Sequence, residues 1–62
     1  MNEPIVTSDV GEAIKAFFAG ANVIYHEYLE GHVKCYTMES NDKLSLYNSP
    51  GVRIFYIYEV KK

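Results

Sequence analysis

A chain of 62 residues with 48% apolar content and a single cysteine reads as one small folded domain (1–62) with no internal disulfide. Its net charge of −2, with acids and bases interspersed, supplies no basic stripe for phosphates and argues against duplex nucleic acid as a partner. The apolar runs are far too short for a bilayer span, and Met1 to Thr7 lack a basic-then-apolar secretion pattern, so the expectation is a cytoplasmic protein without a membrane partner.

Residues 1–7 read as a flexible tail or a short extended segment. A helix start follows, with Asp9 at the N-cap and Glu12 three residues later, a variant of the capping box. Val10, Ile14, Phe17, Phe18 and Ala21 recur at helical spacing and form one apolar stripe, while Glu12, Lys15 and Ala16 face outward. Gly20 is placed to end the helix in a left-handed conformation.

From Asn22 the residues become β-branched and aromatic, which predicts two strands joined at Glu30-Gly31. A two-residue turn there opposes Leu29 to His32, Tyr28 to Val33, Glu27 to Lys34, His26 to Cys35 and Tyr25 to Tyr36. One face of this hairpin then carries Ile24, His26, Tyr28, Val33, Cys35 and Thr37. The other carries Val23, Tyr25, Glu27, Leu29, Lys34, Tyr36 and Met38. A competing reading continues the helix through Tyr28, four residues beyond Ile24.

Past the polar loop Glu39 to Asp42, a short strand is expected over Lys43 to Tyr47. A turn follows at Asn48-Ser49-Pro50-Gly51, then a last strand from Val52 to about Val60. The expected fold is α+β, one N-terminal helix packed on a four-stranded antiparallel β-meander. Leu44, Leu46, Phe55 and Ile57 would meet Ile14, Phe17 and Phe18. Tyr47, Val52, Ile54, Tyr56 and Tyr58 would be left on the far side, an apolar set of the kind that marks an interface.

The chemistry-bearing residues are few. His26 opposite Cys35 is the one hint of a thiol–imidazole pair, and it reads better as ordinary sheet packing; the chain is expected not to be an enzyme. His26, His32 and Cys35 lack the paired spacing and the four ligands of a structural zinc site, so neither a metal nor a cofactor is expected. The tyrosines remain. Tyr25, Tyr36, Tyr47, Tyr56 and Tyr58, with Ile54, are candidate contact residues for a protein partner or a stacked base. Arg53 and Lys34 are the nearest positive charges for a phosphate.

The segment "GEAIKAFFAGANV" (Gly11 to Val23) and the terminal "IFYIYEV" resemble a group of small phage proteins that open with a helix and close on an aromatic strand. The matching positions are Glu12, Ala13, Ile14, Ala16, Gly20 and Val23, then Tyr56, Ile57, Tyr58 and Glu59. Within that group the anti-Thoeris proteins sequester a cyclic ADP-ribose-type immune signal as oligomers. The resemblance implies a phage or mobile-element protein in a host cytoplasm. With the uncovered apolar face and small size, the expectation is a homo-oligomer that inhibits a host defence or regulatory protein through its Tyr-rich sheet face; the alternative, which the resemblance carries, is sequestration of a nucleotide-like molecule.

Overall fold

The computed structural model describes residues 3–40, 46 and 51–60. Its elements in chain order are β1 (Ile5–Thr7), α1 (Val10–Phe18), β2 (Asn22–Leu29), β3 (His32–Thr37) and β4 (Val52–Tyr58). Among the described residues, an N-terminal helix and a four-stranded antiparallel sheet give the α+β fold that the sequence predicts.

Both ends of α1 are fixed by local chemistry. Asp9 caps the N-terminus: its Oδ1 accepts from the amides of Gly11 (2.9 Å) and Glu12 (3.3 Å). Thr7 completes the cap, since its hydroxyl accepts from the Asp9 amide at 3.1 Å and donates to the Glu12 carboxylate at 3.4 Å. At the other end the Ala21 amide bonds the Ala16 carbonyl and the Gly20 amide bonds the Phe17 carbonyl, each at 3.1 Å. This is a Schellman closure, and it needs the positive φ of +103° that Gly20 adopts without strain.

The hairpin forms in the expected register, from Leu29↔His32 through Tyr25↔Tyr36 to Ile24↔Thr37. Gly31 takes φ +82° while Glu30 stays negative, the sign pattern of a type II turn. The helix therefore stops at Phe18, and its continuation through Tyr28 is excluded.

Strand order is where the structure departs from a meander. It runs β1-β4-β2-β3, so β4 is central and β1 and β3 are the edges. Ile5–Thr7 form a strand paired with β4, at Ile5↔Ile57, Val6↔Tyr56 and Thr7↔Phe55. The proposed strand over 43–47 and the 48–50 part of the turn lie outside the described residues. Leu46 alone is described there; it is buried, and its backbone is helical, not extended. A central place pairs both edges of β4 with other strands, while only the Arg53, Phe55 and Ile57 face is buried.

This order forces two crossovers. β1 and β2 both run antiparallel to β4, and α1 connects them across one face of the sheet as a split β-α-β unit. β3 and β4 both run antiparallel to β2, so the connection between them must also cross a face. Met38 and Leu46, the buried residues among those described in that connection, join the cluster of Ala13, Ile14, Val23, Tyr25, Phe55 and Ile57 on the helix side. The helix and these two residues thus cover the same face.

The helix contributes Ala13 and Ile14 as buried residues, with Val10, Ala16, Phe17 and Ala21 packed around them. Phe18, expected in the core, is 60% exposed and touches the Phe17 ring edge-on at 5.3 Å. It sits roughly 80° round the helix from Val10, at the rim of the stripe. Ala16, expected outside, packs inward instead.

Candidate functional site: the open sheet face

Side chains alternate across the strands, so covering one face leaves the other bare. The pairings give its layout. One row runs Val6, Tyr56, Ile24 and Thr37; the next holds Ile54, His26 and Cys35; the third holds Val52, Tyr28 and Val33; Tyr58 and Asn22 close the far end. None of these positions carries a charged side chain. Val6 (58%), Val52 (64%) and Val33 (55%) are well exposed, Tyr28 is exposed, and Ile24, Ile54, Tyr56 and Tyr58 are half-buried by their neighbours.

The half-burial comes from contacts within the face. The His26 ring lies 5.0 Å from that of Tyr56 and 6.5 Å from that of Tyr28, so an imidazole and two phenols form its centre. Cys35 is exposed beside His26 as its cross-strand neighbour. Among the described residues no group of three or more His, Cys, Asp or Glu side chains is placed to hold a metal. His32 pairs with Leu29 on the opposite side of the hairpin from His26.

The charges of the sheet are on the covered side. Glu27 stands between Arg53 of β4 and Lys34 of β3, and its ion pair is with Arg53: Nη2 to Oε2 is 3.0 Å and Nε to Oε2 is 3.2 Å. The Arg53 side chain is 5% exposed and that of Glu27 18%. Two donors of one guanidinium on one carboxylate oxygen, shielded from water, make a positional lock on the β2–β4 register. A ligand phosphate on the open face cannot use this cation.

The sequence-predicted contact residues therefore divide. Ile54, Tyr56 and Tyr58 share the open face. Tyr25 is a core residue at 7% exposure, stacked on Tyr36 at 5.1 Å and against Phe55 at 5.3 Å. Tyr36 lies with it on the helix side, at the β3 edge. Arg53 is buried and paired, and Tyr47 lies outside the described residues. The open face also includes Val6, Ile24, Tyr28 and Val33, which the candidate set lacked. For the hairpin residues the signal was present in the alternation; for Val6 it was not, because its place depends on a strand pairing across nearly the whole chain.

No helix among the described residues is long and apolar enough to cross a membrane. No family model, curated protein or solved structure matches the chain.

Proposed function

We propose that this chain is a non-enzymatic binding protein that acts by occupancy, seating its open sheet face on an uncharged, apolar patch of a target protein. The observation that carries this reading is a face as wide as the sheet, rich in Tyr, Val and Ile, without a charged side chain, in a chain of which 23% is charged. Charge is kept off the centres of protein contacts, where aromatic residues are enriched. A nucleic acid or a charged peptide would find no complement there. Within this reading, the resemblance of the helix and the last strand to small phage anti-defence proteins makes a host defence or regulatory protein the expected target. What favours this reading over the sequestering alternative is that Arg53 is engaged by Glu27 on the other face, the side that Lys34 also shares.

The test is affinity for a protein retained by the immobilised chain. Tyr56→Ala, at the centre of the face, should weaken that binding by about 2 kcal/mol, roughly thirtyfold in Kd. Unchanged affinity in a folded Tyr56→Ala protein would rule the face out.

A further inference from the structure

We infer that the free edge of β3 pairs antiparallel with the β3 of a second copy, with Cys35 at the two-fold axis. This surface is distinct from the open face, so the inference does not depend on the proposed target.

β3 holds no buried residue: all six are exposed, on both sides of the sheet, and only Tyr36 stacks against a core side chain, that of Tyr25. It forms an edge, and its pairing with β2 runs without a bulge, so neither a kink nor a proline blocks the outer side. β1, the other edge, is only three residues long. The phase of the β3 backbone is fixed by one bond, the Met38 amide donating to the Val23 carbonyl at 2.9 Å. Main-chain groups of an antiparallel strand alternate in direction, so Tyr36, Lys34 and His32 also turn theirs toward β2. Val33, Cys35 and Thr37 turn theirs outward, where β3 has no neighbouring strand among the described residues.

Two-fold symmetry limits the registers to those that pair side chains of the same face. Centring on Cys35 opposes Val33 to Thr37 and Cys35 to itself, so every outward group of the strand is used, in about six main-chain hydrogen bonds. Centring on Lys34 or on Tyr36 leaves one of the three residues without a partner inside the strand. The Lys34 centre also sets two like charges opposite each other. With Cys35 at the centre, Lys34 lies opposite Tyr36 of the second copy, a cation beside a phenol ring. Charge and hydrogen bonding select the same register, which is the argument for a second copy over an unrelated strand. The product is one sheet of twice the width, with the two open faces continuous across the seam.

Proline substitution separates this edge from the fold. Cys35→Pro and Thr37→Pro each remove an outward amide while sparing the amides that face β2, the placement at which an edge strand tolerates proline. Sedimentation velocity at about 100 μM should show a dimer for the unmodified chain. Each proline variant should weaken the dimer about tenfold or more, with the far-UV circular dichroism retained. Val52→Lys, on the open face, should still dimerise. A short bismaleimide should join the unmodified copies through Cys35, the only cysteine in the chain. A monomeric unmodified chain would overturn the proposal. So would a dimer that survives both proline substitutions, or one that Val52→Lys dissolves.

Discussion

The two faces of β4 are built from alternating residues of one strand, and they end in opposite states. On the helix side Phe55 is fully buried and Ile57 is 2% exposed; on the other side Val52 is 64% exposed and Tyr56 half-buried. Hydrophobicity does not separate them, because Ile54 and Tyr56 are as apolar as many core residues. Topology does. The helix and the buried Met38 and Leu46 lie over one face, and among the described residues no element lies over the other. The difference teaches that an apolar strand face is core only where the connections happen to run. Elsewhere it is a surface whose lack of charge calls for another explanation.

The sharpest way to break this comparison is to truncate the covered side. Phe55→Ala should cost about 3–5 kcal/mol and leave little folded protein by circular dichroism, since small domains have only a few kcal/mol to lose. Next comes the ion pair. Arg53→Met should destabilise by about 2 kcal/mol in urea unfolding, because a largely shielded Glu27 is left without its partner. Adding Glu27→Leu should recover most of that loss, which an ordinary surface salt bridge would not do. Asp9→Ala removes the cap and should lower stability by about 1 kcal/mol, or roughly 4–8 °C in Tm. At the bottom of the scale, Val52→Lys on the open face should change folding stability by no more than about 0.5 kcal/mol.

Much of the local structure was legible in the sequence. The Asp9 cap, the Gly20 stop and the whole register of the hairpin follow from short-range rules, and each involves residues close along the chain. The strand order was not legible. It depends on Ile5–Thr7 reaching β4, a pairing with little local signature, because three residues beside a proline look like a tail. The partner of Glu27 shows the same limit. Lys34 is its neighbour in the hairpin, yet Arg53 wins, because β4 is central and its guanidinium is the one shielded from water. Phe18 marks the finer limit of helical periodicity: a residue at the rim of a stripe is placed by the width of the sheet beneath it. For the candidate site, alternation in the last strand was enough to find Ile54, Tyr56 and Tyr58. Separating them from Tyr25, Tyr36 and Arg53 required the fold.

The central claim is that the open face serves contact and not folding. The most direct test is quantitative affinity capture with the unmodified chain, Val52→Lys on the open face and Lys15→Glu on the helix, each melted in parallel. The account predicts that all three melt within a few degrees of one another, and that the protein retained by the unmodified chain and by Lys15→Glu is lost with Val52→Lys. Retention unchanged in Val52→Lys, or a Val52→Lys protein that fails to fold, would contradict it.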